Sequence, residues 1–140
     1  MIRDFKKQDL DRIMDLWLDT NISAHSFIDS EYWESNYDTV KTMMPNATIY
    51  LYEENDIIQG FVGLMDNYIA GIFVSRKVQS SGIGKKLLDY VKDKKATLSL
   101  NVYQENSRAV SFYLRESFAI SNEQIDENTG KIELSMNWVK

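Results

Sequence analysis

The first part of the chain carries apolar residues at helical spacing. Leu10, Ile13, Met14 and Trp17 recur at i, i+3, i+4 and i+7. This spacing is typical of an amphipathic helix with one buried face. Before it, residues 1–5 are suited to a short strand. The pattern therefore predicts a strand followed by a helix at the beginning of the chain.

A second helix is predicted after a break in this pattern. Polar residues over 19–23 interrupt the apolar spacing and predict the end of the first helix. Asp29 or Ser30 is suited to cap the second helix, because a short polar side chain accepts hydrogen bonds from the free N–H groups of the first turn. Trp33 is expected in the core. The helix must end before Pro45, since the residue before a proline is pushed out of the helical region.

The apolar period changes to two after this proline. Ile49 and Leu51 alternate with more polar positions, and two further apolar runs follow over Ile57–Met65 and Tyr68–Val74. Short polar turns separate the three runs, as in antiparallel strands joined by hairpins. We predict a meander whose third strand lies near the centre of the sheet.

The second half of the chain begins with a crossover connection. The strand ending at Val74 leads through a polar turn into a helix of about a dozen residues from Gly82, and alternating residues over 97–103 predict the next strand. Two strands joined by a crossover helix imply a parallel pair. Asn106 is suited to cap another helix, and a turn at 127–130 predicts a closing hairpin.

These elements together predict one α+β domain spanning residues 1–140. Its sheet is expected to be mixed, mostly antiparallel, with six or seven strands and about four flanking helices. A chain of 140 residues is long enough to bury a core without disulfides or metals.

Composition narrows the range of functions. The chain has no cysteine, which excludes disulfide frameworks, zinc-thiolate sites and cysteine nucleophiles. Its net charge of −5 argues against a nucleic-acid partner, which requires a basic face. Residues 1–7 contain no apolar signal segment, and no uninterrupted apolar run approaches the length needed to span a bilayer. We expect a cytoplasmic protein without a membrane partner.

The turn over residues 79–84, Gln-Ser-Ser-Gly-Ile-Gly, predicts an anion site. Gly82 and Gly84 allow the backbone to approach a ligand, and the free N–H groups at the helix start favour a phosphate. The alternative is a tight connection without a ligand, because such a turn is a weak motif by itself. A dinucleotide fingerprint would require glycine at Leu87 and a P-loop would require it at Gln79, so neither fits.

Two motifs and the order of elements resemble the GNAT superfamily of N-acetyltransferases. Residues 79–84 are similar to the Q/R-x-x-G-x-G/A loop for the pyrophosphate of acetyl-coenzyme A (acetyl-CoA). Residues 106–113, Asn-Ser-Arg-Ala-Val-Ser-Phe-Tyr, are similar to the family's N-x-x-A-x-x-F-Y helix. The chain departs from the family at Ser117, where glycine normally precedes phenylalanine, and at Arg76, where proline often stands.

The resemblance implies an enzyme that moves an acetyl group from acetyl-CoA to a primary amine, without a metal. The pantetheine arm is expected along the end of the Tyr68–Val74 strand, with hydrogen bonds to the main chain of Phe73 and Val74. One of four basic side chains is expected to meet the remaining phosphate: Lys77, Lys85, Lys86 or Arg108. The full set expected to bind the cofactor is Ile72, Phe73, Val74, Gln79, Ser80, Ser81, Gly82, Ile83, Gly84, Lys85, Asn106, Ala109, Phe112 and Tyr113.

The resemblance also implies catalytic roles. The amide of Val74 is expected to donate to the oxyanion, and Tyr113 to supply a proton to the departing thiolate. His25, the only histidine, and Tyr68 are the leading candidates for the base that deprotonates the amine. Glu31 or an ordered water molecule is the alternative.

Other functions and assemblies stay open at this stage. A domain that binds acyl-CoA without turnover would carry the same loop, and an α+β domain without any ligand is a further alternative. The acceptor is either a small-molecule amine or an amine of a peptide or protein, because acceptor loops vary freely on one fold. We expect a monomer or a homodimer.

Overall fold

The computed structural model describes residues 1–140 and contains seven strands and four α-helices. In chain order they are β1 (Ile2–Asp4), α1 (Leu10–Ala24), α2 (Ser30–Met43), β2 (Thr48–Glu54), β3 (Ile57–Met65), β4 (Tyr68–Val74), α3 (Ile83–Lys94), β5 (Thr97–Tyr103), α4 (Ser107–Arg115), β6 (Ala119–Ile125) and β7 (Ile132–Val139). The predicted α+β fold is confirmed. No helix has the length and apolar content that a membrane crossing requires.

All seven strands form one sheet in the order β1-β2-β3-β4-β5-β7-β6. The pair β4–β5 is parallel and every other neighbouring pair is antiparallel. Strand β4 is therefore central, as predicted from the meander. The closing hairpin places β7 between β5 and β6, where it pairs with β5 along its whole length.

Strands β4 and β5 diverge soon after they begin to pair. Their register contains two Cα pairs, Tyr68 with Ser99 and Ile69 with Leu100. The rest of β4, residues 70–74, has no strand on that side. The middle of the sheet therefore contains an open strand edge, which faces α4 across a gap.

Helix α1 extends beyond the predicted break and ends at Ala24. The predicted end at residues 19–23 is wrong because two polar residues there are buried within the helix, Thr20 and Asn21, each 7% exposed. The Thr20 hydroxyl donates to the Leu16 carbonyl at 2.5 Å, so it is satisfied without leaving the helix. An apolar pattern cannot reveal a helical turn whose buried side chains are polar.

The predicted boundaries of α2 agree with its capping. The Asp29 carboxylate accepts a hydrogen bond from the Glu31 N–H at 3.0 Å. The helix ends at Met43, and a 3-10 turn that contains Pro45 follows it. Trp33 lies in the core as expected, at 8% exposure.

The sheet separates two apolar cores. Helices α3 and α4 cover one face, where Leu87, Leu88 and Val91 pack against Leu98 and Leu100. Helices α1 and α2 cover β2, β3 and part of β4 on the other face. Both pairs of helices reach the point where β4 and β5 diverge. The gap between these strands therefore lies between the packed helices of the two faces.

Candidate active site

A cavity of about 880 Å³ lies between the open edge of β4, the start of α3 and helix α4. The C-terminal turns of α1 close it on a third side. Most residues predicted to bind the cofactor line it, namely Ile72, Phe73, Val74, Gln79, Ser80, Gly82, Ile83, Gly84, Lys85, Asn106, Ala109, Phe112 and Tyr113, and so does His25. The structure thus brings together both motifs of the sequence.

Two residues of the glycine loop adopt the left-handed conformation. Ser80 has a φ of 67° and Gly82 a φ of 89°, which turns the chain sharply into α3. The first hydrogen bond of the helix runs from the Lys86 N–H to the Gly82 carbonyl at 3.0 Å. The N–H groups of residues 83–85 precede this ladder and can bind an anion together with the helix dipole.

The side chain of Ser81 lies outside the cavity. Its hydroxyl donates to the Val78 carbonyl, and the residue lines a small separate pocket beside Lys86. This side chain closes the 3-10 turn before the loop. Any part of Ser81 in cofactor binding is therefore limited to its main chain.

The predicted phosphate-binding side chains have different surroundings. Arg108 donates to Gln79 Oε1 at 2.8 Å and to Ser80 Oγ at 2.7 Å, so its guanidinium lies on the loop. Lys85 also lines the cavity but pairs with Glu116 at 2.9 Å. Lys86 lies over the Tyr52 ring, 5.4 Å from its centre. Arg108 is therefore the cation best placed beside the loop.

The register of β3 and β4 decides which main-chain groups face the cavity. The Ser75 N–H donates to the Gln59 carbonyl at 2.8 Å, and the next pair along the register is Gly60 with Val74. Hydrogen-bonded and non-hydrogen-bonded pairs alternate in an antiparallel ladder. Val74 and, two residues earlier, Ile72 therefore direct their N–H and C=O groups away from β3.

This alternation corrects one detail of the predicted pantetheine contacts. Phe73 belongs to a hydrogen-bonded pair with Phe61, so its main-chain groups are used within the sheet. Its ring stacks on Phe61 with centroids 4.7 Å apart, in the core under α1. The Val74 carbonyl, in contrast, accepts from Gln79 Nε2 at 3.1 Å. The open groups are therefore the N–H of Val74 and the main-chain groups of Ile72.

Tyr113 lies between α4 and the sheet and is 7% exposed. Its ring contacts Phe112 and Phe118 edge-on, with centroids 5.2 and 5.5 Å away. Burial raises the pKa of the phenol above its ordinary value, and the charge of Tyr68 adds to this effect. The phenol therefore keeps its proton near neutral pH and faces the cavity as a donor.

His25 connects α1 with α4 through both ring nitrogens. Asn106 Oδ1 accepts from the Ala109 N–H at 3.3 Å, so the other end of this amide, Nδ2, faces His25 Nε2 at 3.2 Å. His25 Nδ1 lies 2.9 Å from the Asn21 carbonyl. This network requires a neutral imidazole that donates from Nδ1 and accepts at Nε2. The ring has no free lone pair for an incoming amine.

The surroundings of His25 favour this neutral form. Its ring stacks on Trp33, with centroids 5.1 Å apart, and meets Phe27 and Tyr103 edge-on. Burial lowers its pKa below the usual value, although the Asn21 carbonyl partly opposes this effect. The residue thus joins two walls of the cavity.

Acidification is expected to weaken this connection. A histidine whose pKa is lower in the folded state contributes stability above its unfolded pKa of about 6.5, and this contribution is lost as the pH falls. Thermal unfolding of wild type and His25→Phe between pH 7.5 and pH 5 would test it. At pH 7.5 the variant should be about 1 kcal/mol less stable, and its further loss on acidification should be smaller than that of the wild type. Parallel pH curves would contradict the assignment.

Tyr68 lies outside the cavity wall, on the opposite face of the sheet from α4. It is 37% exposed, and it shares this face with Ser99, its partner in β5. Burial and the charge of Glu133 raise its pKa.

Polar side chains cover this face of β5, β6 and β7. We call it the polar face and define it by Asn101, Tyr103, Gln124, Glu133 and Ser135. Ser135 Oγ donates to Asn101 Oδ1 at 2.8 Å, and Gln124 Nε2 donates to Glu133 Oε1 at 3.2 Å. These residues alternate along β5 and β7 with buried ones, so the polar face lies directly behind the α4 core.

Sequence reasoning missed one wall of the cavity and one cation. Thr20, Asn21, Ser23 and Ala24, in the last turns of α1, line the cavity, as does Arg115 in α4. The predicted early end of α1 removed the first group from consideration. Arg115 could have been found from its position three residues after Phe112, which puts both on one face of the helix, and its guanidinium lies over the Phe112 ring.

Comparison with known proteins agrees with this geometry. The family model described as the acetyltransferase (GNAT) domain matches residues 6–139. The peptidyl-lysine N-acetyltransferase YiaC of Escherichia coli strain K12 is 34% identical over 140 residues, covering 99% of this chain and 96% of that protein. The chain belongs to the GNAT acetyltransferase family.

Solved structures support the same fold. The apo form of YjaB from Escherichia coli matches with a TM-score of 0.87 at 23% identity, over 99% of this chain and 97% of that one. YncA from Salmonella typhimurium, solved with its cofactor acetyl-CoA, matches with a TM-score of 0.71 at 15% identity, over 99% and 92%. The protein is an acetyltransferase that transfers the acetyl group of acetyl-CoA to a primary amine.

Proposed function

We propose that the amine acceptor is the side chain of a lysine residue in a peptide or protein. The observation that carries this proposal is the polar face, where Glu133, paired with Tyr103, lies on the same side of the sheet as Tyr68 and raises its pKa. A lysine side chain is a long apolar stem with a cationic head, which suits aromatic neighbours and a carboxylate at the end. YiaC, which is named for this activity, is 34% identical to the chain.

Further charges on this side of the sheet favour a cationic acceptor. Tyr103 donates to Asp126 Oδ2 at 2.6 Å, at the edge of the polar face. The pKa of Tyr32 in α2 is raised by burial and by the charges of Asp126 and Glu133. Both carboxylates therefore act on the space between α2 and the hairpin. Their potential attracts an ammonium group and disfavours acidic acceptors.

The donor half of the proposed site follows the cavity. The diphosphate of acetyl-CoA binds the N–H groups of residues 83–85, with Arg108 and Lys85 beside them. The pantetheine arm continues along the open edge of β4. Val74 is joined to the loop through Gln79, so it meets the pantetheine, and Ile72 lies two residues farther from the phosphates. We therefore assign the oxyanion to the Ile72 N–H rather than to that of Val74.

The reaction then needs no covalent intermediate on the protein. The neutral amine attacks the thioester carbon, the C–S bond breaks as the new C–N bond forms, and the thiolate leaves as CoA. Tyr113 donates a hydrogen bond to the sulfur as its charge develops. The pKa of this phenol lies above that of a thiol, near 8.5, so complete proton transfer from Tyr113 to the thiolate is uphill. The step balances when the proton that the amine loses on becoming an amide returns to the phenolate.

Tyr68 and Glu133 are the proposed route for the amine proton. In this proposal Glu133 holds the ammonium form, and Tyr68, which lies on the same face of the sheet, passes the proton on. His25 is assigned a positioning role, because both of its nitrogens are hydrogen-bonded within the chain. Glu31 lies in the first turn of α2 and is exposed to water. It stays the alternative base.

Acceptor selectivity tests the proposal directly. Thiol release from acetyl-CoA would be followed with a short peptide that has one lysine and a blocked N-terminus. The comparison set is the same peptide with arginine for lysine and a free N-terminus, a polyamine and an aminoglycoside. Turnover should be fastest with the lysine peptide. Faster turnover of any small amine would reject the peptidyl-lysine assignment while leaving the acetyltransferase itself unaffected.

Glu133→Gln is expected to raise KM for the lysine peptide five- to tenfold, because a charge-assisted hydrogen bond to the ammonium is lost. The affinity for CoA should stay the same, since the substitution lies on the other face of the sheet. Glu54→Gln, which makes the same charge change at the end of β2, is the control. An unchanged KM in Glu133→Gln would remove this residue from the acceptor site.

A cytoplasmic location and a monomeric or homodimeric state stay predictions from the sequence. Sedimentation measurements with and without acetyl-CoA would test the oligomeric state.

A further inference from the structure

Asn21 is a buried polar residue whose side chain has no partner in the chain. It is 7% exposed and lines the cavity from the last turns of α1. Its main-chain carbonyl accepts from the His25 N–H at 3.1 Å and from His25 Nδ1 at 2.9 Å. Its carboxamide makes no hydrogen bond to any other residue. Trp33 Nε1 is the buried side-chain atom without a partner, so the unpaired carboxamide atoms of Asn21 are open to the cavity rather than sealed in the core.

Neighbouring residues show that the local structure does not use this carboxamide. Thr20, the adjacent buried polar residue, satisfies its hydroxyl within α1. The main chain of Asn21 is held by two hydrogen bonds from His25, which is itself fixed by Asn106 in α4. The main chain at Asn21 is therefore fixed by two helices, while the donor and acceptor atoms of its carboxamide stay available. Such an arrangement is typical of a pre-organised binding group.

We propose that the Asn21 carboxamide hydrogen-bonds an amide group of the pantetheine arm of acetyl-CoA. Pantetheine carries two secondary amides, each with one N–H donor and one C=O acceptor. A carboxamide offers the complementary pair from a single side chain. Across the cavity, the open main-chain groups of Ile72 and Val74 face the same space. The arm would then lie between a strand edge on one side and Asn21 on the other.

A cationic amine is a poorer match for this position. An ammonium group presents three donors and no acceptor, and burial without a carboxylate makes it costly. The carboxylates of the acceptor side lie on the polar face, not at the end of α1. The amide of the cofactor is neutral and matches both atoms of the carboxamide.

The inference rests on the placement of the pantetheine arm proposed above, and the experiment separates the two. Calorimetry would measure the affinities of wild type, Asn21→Leu and Asn21→Ala for two ligands. These are CoA and adenosine 3′,5′-bisphosphate, the nucleotide half of CoA without pantetheine. Both variants should bind CoA about tenfold more weakly, as expected for loss of one or two hydrogen bonds. The bisphosphate should bind all three proteins within about twofold.

The unliganded proteins provide a second readout. Asn21→Leu replaces a carboxamide that has no partner in the chain by an apolar side chain of similar size, so its thermal midpoint without ligand should stay close to that of the wild type. Unchanged stability with loss of CoA affinity is not expected for a residue that only supports the fold.

Four results would overturn the inference. The first is wild-type affinity for CoA in both variants, and the second is an equal loss of affinity for CoA and for the bisphosphate. The third is weaker CoA binding in Asn21→Leu alone, which would indicate an effect of side-chain bulk. The fourth is a raised KM for the peptide with unchanged CoA affinity. Failure of wild type to bind CoA would instead reject the cavity as the cofactor site.

Discussion

Gly84→Val is expected to lower the affinity for CoA at least 100-fold while the chain stays folded. A Cβ atom at Gly84 would lie 3.8 Å from Phe112 Cζ, 3.9 Å from Val74 Cγ2 and 4.0 Å from Ile72 Cγ2. These are ordinary van der Waals distances, so the fold accepts the side chain. All three neighbours line the cavity, however, and a valine would fill the gap that the pantetheine arm must cross. Calorimetry with CoA measures the loss.

The control for this variant is Gly63→Ala in β3. A Cβ atom there meets nothing within 4 Å, and the residue lies outside the cavity. Its affinity for CoA and its thermal midpoint should match the wild type. If Gly84→Val bound CoA normally in a folded protein, the groove between β4 and α4 would not be the route of the cofactor.

Tyr113→Phe is expected to lower kcat about 100-fold, within the range usual for general acid catalysis, with little change in KM for acetyl-CoA. Removal of the hydroxyl leaves the ring between Phe112 and Phe118, so packing is preserved. The loss should therefore fall on the transition state, where the sulfur acquires charge. Initial rates of thiol release at saturating lysine peptide provide the measurement.

Tyr90→Phe is the matched control for this substitution. Tyr90 lies on α3 and packs on Tyr50 with ring centroids 4.9 Å apart, away from the cavity. The Tyr90→Phe variant should retain wild-type turnover. Equal turnover in Tyr113→Phe would mean that solvent supplies the proton to the leaving thiolate.

The elements with strong apolar periodicity could be predicted from the sequence almost to the residue. Strands β3 and β4 have the predicted bounds, and α3 begins after the predicted Gly82. The reason is local: alternating apolar residues, polar turns and capping residues all favoured the same boundaries. The two motifs were also local, and the fold brought them to one cavity.

Features that depend on long-range packing could not be predicted in this way. The last turns of α1 are stabilised by burial of Thr20 and Asn21, which the apolar pattern reads as a loop. The neutral state of His25 follows from an amide 81 residues away in sequence. The inward and outward alternation of Phe73 and Val74 follows from pairing with β3. Each of these is decided by a partner that the local sequence does not contain.

The open edge of β4 has a consequence for what else the protein can bind. An unpaired strand edge is a template for another polypeptide strand, and such edges cause unwanted pairing between chains. Here the edge is in the middle of the sheet, with Phe112 and Tyr113 of α4 facing it across the cavity. An incoming β-strand would need room for side chains on both of its faces. A thin, unbranched chain such as pantetheine does not, so the fold can leave this edge open without inviting a second polypeptide.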